Sequence, residues 1–238
     1  MKAVLLVFLN ILQLLYISSS PLESRCFAID TKCLTARAQE NVALFVQGLP
    51  DLNIERLDPM CIDYVKRDLA GLKFEGKNLR IDGLAKSIID EISIDMNSRL
   101  MRLEFHLDPI SIQSNYKLDG NLFTIPICGE GDLVTVERNL QVDLKMPFDL
   151  LVDAYGTTFM NLKNYTYNFN VKDGGEFRLT NLYYGDQEKS DFVHNFLNNN
   201  WKAITQVFGP LILDDAVFKV YNAIATFMRS RPLNDLLL

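Results

Sequence analysis

Residues that could carry out chemistry are few in this chain, and they form no catalytic motif. The sequence has two histidines, His106 and His194, and lacks both a G-x-S-x-G nucleophile motif and an H-E-x-x-H zinc motif. Hydrophobic patterns place these histidines on a strand and a helix, where surface or capping roles are expected. Asp214 and Asp215 have no evident partner carboxylate and are expected to solvate a helix near its start. The sequence therefore predicts a protein that is not an enzyme and needs no cofactor.

A short glycine-rich stretch, residues 129–132 (GEGD), resembles the opening of a phosphate-binding loop. No third glycine and no G-K-[ST] triplet follows it. We interpret the stretch as a turn between strands.

Four cysteines are the next candidates for chemistry. Cys26 and Cys33 flank a short loop near the N-terminus. Cys61 and Cys128 either pair with each other or are two separate buried thiols, and we favour the second alternative. Neither Cys61 nor Cys128 has the His or Cys neighbours that zinc-ligand spacing requires, so no metal site is predicted.

Asn164 begins the sequon Asn-Tyr-Thr. It falls on the polar side of a predicted strand, so a glycan there would point into solvent. The sequon either carries a glycan or is unused.

The N-terminus has the pattern of a secretory signal peptide. Met1-Lys2 precedes an apolar stretch of about 15 residues, and serines 18–20 offer small residues for cleavage. We predict a signal peptide over residues 1–20 and a single domain over residues 21–238 of a secreted, extracellular protein. A membrane anchor is the alternative, but the stretch is short for a bilayer span.

Composition narrows the classes of partner. The chain is 48% hydrophobic with a formal net charge of −6, and it contains no basic cluster. These features argue against nucleic acid and anionic membranes as partners and against stable membrane insertion. We expect a monomer with a large apolar core. Whether it has a receptor or carrier partner is open.

The longest apolar pattern covers residues 191–230, with large apolar side chains three to five residues apart. This spacing predicts a long helix that is buried on most of its circumference. Gly209-Pro210 is predicted to bend it, because a proline inside a helix removes one hydrogen bond.

Residues 133–150 alternate in the way of a strand with one buried face. The predicted inner face comprises Val134, Val136, Leu140, Val142, Leu144, Met146, Phe148 and Leu150. The predicted solvent face comprises Thr135, Glu137, Asn139, Gln141, Asp143, Lys145 and Asp149. Similar alternation elsewhere predicts further antiparallel strands, with a bulge at Gly120 and a turn at residues 173–175. The expected fold is α+β: a highly curved antiparallel sheet wrapped around the long bent C-terminal helix.

A bent helix inside a curled sheet fills space unevenly, so the sequence also predicts an internal apolar tunnel. Inward-facing side chains are the predicted ligand contacts, with two tyrosine hydroxyls to orient the ligand. These residues are Leu103, Phe105, Leu144, Met146, Phe148, Tyr165, Tyr167, Phe169, Phe196, Phe208, Val220 and Phe227.

Several short motifs, in order, resemble the insect juvenile-hormone-binding/takeout family over nearly the whole mature length. They are the Cys26…Cys33 pair, GLP at 48–50, LDP at 57–59, NLRIDGL at 78–84, YKLDG at 116–120, IPICGEG at 125–131, NLYYGD at 181–186, FLNNNW at 196–201 and RPL at 231–233. Cys61 and Cys128 are not part of the family pattern.

The resemblance implies a curved sheet around a long helix, secretion into haemolymph or chemosensory fluid, and a Cys26–Cys33 disulfide. It also implies carriage of a small hydrophobic ligand, such as a terpenoid, a fatty-acid-like compound or a semiochemical. A predicted helix over residues 34–46 would then gate the tunnel, or else serve as a fixed lid. The functional alternative to a carrier is a secreted, ligand-free interaction protein that is recognised through its surface.

Overall fold

A computed structural model describes residues 25–238, and the predicted signal peptide lies outside them. The helices and strands in chain order are α1 (Thr31–Phe45), β1 (Met60–Leu69), β2 (Leu72–Asp82), β3 (Ile88–Asp95), β4 (Leu100–Leu107), β5 (Ile110–Leu122), β6 (Ile125–Val152), β7 (Thr158–Leu162), β8 (Thr166–Leu179), α2 (Gln187–Asn199), α3 (Trp201–Phe208), α4 (Pro210–Ser230) and α5 (Leu233–Leu236).

Strand β6 is 28 residues long and organises the sheet. It extends the predicted strand at both ends. β5 pairs with its first half, and β4 and β7 pair with parts of its second half, while β8 pairs with its middle. The strand order is β1-β2-β5-β6-β4-β3, with β7 and β8 also paired to β6, and every pairing is antiparallel. At about 3.3 Å per residue β6 follows a path of roughly 90 Å, which requires a strongly curved sheet. The predicted curved antiparallel sheet is confirmed.

The predicted long helix is divided into α2, α3 and α4. Asn200, at φ −115° and ψ 22°, leaves the helical region between α2 and α3, a break that the sequence pattern did not predict. The second division falls at the predicted position. Gly209 ends α3, and Pro210 is the first residue of α4, where a missing N–H costs no hydrogen bond.

The helical segments bury one face rather than most of their circumference. Leu211, Val217 and Met228 of α4 are buried against the sheet. Phe192 of α2 and Phe218 of α4, which were predicted to be buried, are 60% and 49% exposed. The predicted buried face of the helix was too wide, because every apolar residue between 191 and 230 was counted as part of the core.

A β-bulge at Asn139, where two residues of β8 oppose one of β6, coincides with a reversal of the two faces of β6. Asn139 has φ 52°, and the β6–β8 register shifts between Arg138 and Leu140. After the bulge the predicted inner face holds from Leu140 to Phe148. Before it, the prediction was wrong. Val134 and Val136 are only partly buried, while Leu133, Thr135 and Glu137 point inward and are buried.

Three local predictions are also wrong. Residues 173–175 form no turn but lie within β8, opposite the bulge, where Asn139 Nδ2 donates to Asp173 Oδ2 at 2.8 Å. Residues 129–132 lie within β6 rather than in a turn. Gly120 forms no bulge: Leu118 and Leu122 stay buried on one face of β5, and the hairpin turn comes at Phe123. A glycine is needed at position 120 because a Cβ there would approach the Gly71 carbonyl oxygen to 2.2 Å.

Candidate functional site

The interior contains an apolar cavity of about 310 Å³, which we call the larger cavity. It lies between α1, the β3–β4 hairpin and the C-terminal half of α4. Its apolar lining includes Leu34, Ala38, Val42, Phe45 and Val46 at α1; Ile89, Ile92, Met101, Leu103 and Phe105 on β3 and β4; and Val220, Ile224, Phe227 and Met228 on α4. A cavity of this size and composition is typical of small-molecule sites.

The polar side chains at the larger cavity are Arg37, Asn41, Ser87 and Asp235, and two of them bond to backbone carbonyls. Asn41 Nδ2 donates to the Arg37 carbonyl oxygen at 2.8 Å, and Ser87 Oγ donates to the Leu84 carbonyl oxygen at 2.6 Å. The Ser87 hydroxyl donates to a backbone carbonyl rather than to a basic side chain, so this bond does not activate it as a nucleophile. Within residues 25–238 there is also no cluster of three or more His, Cys, Asp or Glu residues that could hold a metal ion. The arrangement can bury an apolar molecule.

Helix α1 forms one wall of the larger cavity and covers the edge of β3. The Ile92 amide donates to Thr35 Oγ1 at 3.0 Å, and the Ile89 amide donates to Gln39 Oε1 at 2.7 Å. Gln39 Nε2 donates to the Ser87 carbonyl oxygen at 3.1 Å. No residue of α1 is fully buried. The helix is therefore held against the sheet by a few side-chain hydrogen bonds and by half-buried apolar contacts.

A second apolar cavity, the smaller cavity, has a volume of about 120 Å³. It lies between β5, β6 and β8 on the sheet side and α3 and the start of α4 on the helix side. Leu211 and Leu213 of α4 line it, whereas the larger cavity begins at Val220. At about 1.5 Å per residue, these nearest lining residues on α4 are roughly 10 Å apart along the helix. Within residues 25–238, two apolar cavities thus follow one another along α4.

Glu137 of β6 places a carboxyl group at the smaller cavity. Its side chain is buried, with 6% of the residue exposed. Thr205 Oγ1 of α3 lies 3.2 Å from Glu137 Oε1 and 3.3 Å from Oε2, and Thr135 Oγ1 lies 3.3 Å from Oε1. Burial raises the pKa of the Glu137 carboxyl from an ordinary value of 4.5 to about 7, although hydrogen bonds from both threonines oppose the shift. Sequence reasoning missed this residue because the alternation, read without the bulge, placed it in solvent.

We expect Glu137 to make the protein less stable as the pH rises. Its pKa is higher in the folded state, so its stabilising contribution is complete below about 4.5 and is lost as the pH rises through about 7. At about 1.36 kcal/mol per pKa unit, the loss relative to Glu137→Gln is about 3 kcal/mol. Urea unfolding of both proteins from pH 4.5 to 8 measures it. Glu176→Gln removes an exposed carboxylate as the control, and a pH-independent difference between wild type and Glu137→Gln would contradict the prediction.

The predicted ligand contacts do not lie together: some line the larger cavity, one lines the smaller cavity, and the others line neither. Leu103, Phe105, Val220 and Phe227 line the larger cavity, and Phe208 lines the smaller one. The remaining predicted residues line neither of the two cavities. They are Leu144, Met146, Phe148, Tyr165, Tyr167, Phe169 and Phe196. Leu144, Met146 and Phe148 are almost fully buried on the inner face of β6.

Aromatic side chains of β8 and the preceding residue Tyr165 form a row beside α4. Ring centroids lie 6.5 Å apart for Tyr165 and Tyr167, 6.2 Å for Tyr167 and Phe169, and 4.7 Å for Tyr165 and Tyr221 of α4. Tyr167 Oη donates to Asp214 Oδ1. Burial, together with this carboxylate, raises the pKa of the Tyr167 phenol well above its usual range. The hydroxyl predicted to orient a ligand therefore ties β8 to the start of α4.

Both histidines make structural contacts. His106 Nδ1 lies 2.9 Å from both carboxylate oxygens of Asp90. His194 Nε2 accepts the Leu179 amide hydrogen at 3.0 Å, and its Nδ1 donates to the Ser190 carbonyl oxygen at 2.8 Å. The second histidine thereby joins α2 to the end of β8.

The cysteines follow the predicted pairing. Cys26 and Cys33 form a disulfide, whereas Cys61 and Cys128 are free. The predicted burial of the two free thiols is wrong, because Cys61 is exposed and Cys128 is half-buried. Asn164 is exposed, and its glycosylation stays a prediction.

Comparisons with known proteins agree with this architecture. The profile of the family described as haemolymph juvenile hormone binding protein (JHBP) matches residues 4–238. The crystal structure of Epiphyas postvittana Takeout 1 superposes with a TM-score of 0.86 at 32% identity, covering 90% of this chain and 98% of that one.

Curated relatives are more distant in sequence. The circadian clock-controlled protein daywake of Drosophila melanogaster is 26% identical over 217 residues, covering 86% of this chain and 82% of that protein. The juvenile hormone-binding protein of Manduca sexta is 24% identical over 134 residues, covering 55% and 57% of the two chains. Among the helices of residues 25–238, none has the length and hydropathy needed to cross a membrane.

Proposed function

We propose that this chain, which belongs to the haemolymph juvenile hormone binding protein family, is a secreted, monomeric and non-enzymatic carrier of a small hydrophobic ligand. The carrier is a single domain over residues 21–238 that follows a cleaved signal peptide. The ligand occupies the interior between the sheet and α4, with its apolar body in the larger cavity. Ligand contacts include Leu103, Phe105, Val220 and Phe227.

The larger cavity is the observation that carries this proposal. A volume of about 310 Å³ lined mainly by apolar side chains is far more than a packing defect between close-packed elements. Removing an apolar ligand from water supplies roughly 25 cal/mol per Å² of buried apolar surface, and few polar contacts are needed. The alternative function, that of a ligand-free interaction protein, predicts an interior filled by side chains. The cavity therefore favours the carrier function.

Native mass spectrometry of the secreted protein tests the proposal. The expected result is a complex with an apolar small molecule, either co-purified or formed on addition of a terpenoid or a fatty alcohol. A protein that stays empty against a broad apolar panel would contradict the carrier function.

Helix α1 is expected to open for ligand entry, since it is the wall of the larger cavity with the fewest buried residues. The amides of Ile89 and Ile92 donate to side chains of α1, so their hydrogen exchange reports its docking. Ligand should slow exchange at both amides at least tenfold, because a bound molecule adds contacts to the closed helix. Equal exchange with and without ligand would identify α1 as a fixed lid.

A variant of α1 sharpens this test. Gln39→Ala removes two of the hydrogen bonds to β3 and the segment before it. It should speed ligand uptake and also exchange at Ile92, whose acceptor Thr35 is unchanged. Glu40→Ala removes an exposed residue of the same helix that pairs with Arg37, and it should leave both rates unchanged.

A further inference from the structure

The smaller cavity is apolar except at one point. Among the described residues that line it, Glu137 alone has an ionisable side chain, and the Thr135 and Thr205 hydroxyls are the other polar side-chain groups. Charged residues of the neighbouring elements point away from the cavity. Glu176 of β8 and Lys202 of α3 are exposed, and Glu176 pairs with Arg138 at 2.5 Å. At the start of α4, Asp215 pairs with Arg67 at 2.7 Å and does not line the cavity.

A carboxyl group in such a place is poorly explained by stability alone. Burying a carboxyl without a cation is unfavourable, and the raised pKa of Glu137 reflects that cost. A glutamine or an apolar residue would fill the same space without it. The two threonines hold the carboxyl at the cavity wall from two different elements, β6 and α3. The group is therefore oriented as well as buried.

We propose that the smaller cavity is a polar-end subsite of the carrier, in which Glu137, Thr135 and Thr205 accept a ligand bearing a neutral hydroxyl or carbonyl oxygen and reject one bearing a carboxylate. This inference rests on the proposed carrier function. A protonated carboxyl donates one hydrogen bond, and threonine hydroxyls both donate and accept, so the three groups can pair with either kind of neutral oxygen. The cavity of about 120 Å³ accommodates a short apolar segment beside them.

Rejection of a carboxylate follows from charge. A ligand carboxylate beside ionised Glu137 would place two negative charges a few ångströms apart in an apolar surrounding, where like charges repel far more strongly than in water. An ammonium ligand would have to leave water for a cavity that offers a single carboxylate, and buried ion pairs seldom recover that cost. A neutral oxygen avoids both penalties.

Octan-1-ol and octanoate, matched in chain length, test the assignment. Each is titrated by calorimetry at pH 8 and pH 6, while the methyl resonances of Thr135 and Thr205 report binding at the smaller cavity. Any apolar site prefers the alcohol, so the informative quantity is how the alcohol-to-acid affinity ratio changes. We expect Glu137→Gln to lower this ratio at least tenfold at pH 8. Octanoate itself takes up protons as the pH falls, so we expect the ratio to fall between pH 8 and pH 6 in both proteins, and to fall further in the wild type than in Glu137→Gln.

Glu176→Gln is the matched control, since it removes one exposed carboxylate and should keep the wild-type ratio. The pH series is compared between the wild type and Glu137→Gln, which cancels the titration of octanoate itself. If Glu137→Gln has the wild-type ratio at both pH values, the subsite is overturned while the carrier function stays intact. Tighter binding of octylammonium than of octan-1-ol at pH 8 would overturn the preference for a neutral oxygen. If no probe binds the wild type, the result contradicts both the carrier function and the subsite.

Discussion

Replacing Ala38 by tryptophan is expected to abolish the uptake of apolar ligands. Ala38 lies on the face of α1 that lines the larger cavity, opposite Leu103 and Phe105 of β4 and Phe227 of α4. An indole at this position occupies the space that the ligand needs. We expect the dissociation constant to rise at least 100-fold, which corresponds to about 2.7 kcal/mol of binding free energy.

The control for Ala38→Trp is on the same helix. Ala36 is exposed, so Ala36→Trp adds the same side chain to α1 outside the cavity and should bind ligand like the wild type. Overpacking costs about 1–3 kcal/mol, so urea unfolding must first establish that Ala38→Trp is folded. A folded Ala38→Trp protein with wild-type affinity would place the ligand elsewhere.

Phe148→Ala is expected to cost about 3–5 kcal/mol in the free energy of unfolding, the range for removing a buried aromatic side chain. Phe148 is 2% exposed on the inner face of β6, where it pairs with Leu162 of β7. The guanidinium of Arg99 lies 6.0 Å from the centre of its ring. Because Phe148 lines neither cavity, packing rather than ligand contact is its expected role.

Phe218→Ala is the matched control in the same stability measurement. Phe218 is 49% exposed on α4, so its loss should change the unfolding free energy by less than about 0.5 kcal/mol. If Phe148→Ala were as stable as the wild type but failed to bind ligand, Phe148 would be a ligand contact and its packing role would be wrong.

The fold could be predicted because its two main signals are strong and of different periods. Alternation with a period of two over residues 133–150 identified the central strand, and spacing near 3.6 over residues 191–230 identified the helical region. Both signals average over many residues, so single exceptions do not hide them. The break at Asn200 was missed because asparagine is only a weak helix breaker.

The candidate site was harder to predict, because it depends on single residues that change direction. Asn139 has a left-handed backbone conformation, and the inner face of β6 changes there from odd-numbered to even-numbered residues, so Glu137 points into the interior. Strict alternation along a strand cannot predict such a change of face. Asn139 and the nearby pair Gly174-Gly175, which lies across the sheet from Arg138 and Glu137, were the available signal. It was interpreted instead as a turn, since asparagine and glycine favour both structures.

Cavities are harder still to predict from sequence, because an apolar side chain that lines a void and one that fills the core look alike. Leu103 and Leu144 are directly paired across β4 and β6, yet Leu103 lines the larger cavity and Leu144 does not. Whether a side chain of the sheet lines a cavity depends on the elements packed against that part of the sheet, which for Leu103 are α1 and α4. Sequence periodicity reports the face of a residue but not the partner of that face.

A crystal structure of the protein with bound dodecan-1-ol is the most direct test of the proposed function. We predict electron density for the alkyl chain in the larger cavity, in contact with Leu103, Phe105 and Phe227, and enclosed by α1. An empty cavity with the alcohol bound only at the surface, or no complex at saturating alcohol, would contradict the interior carrier.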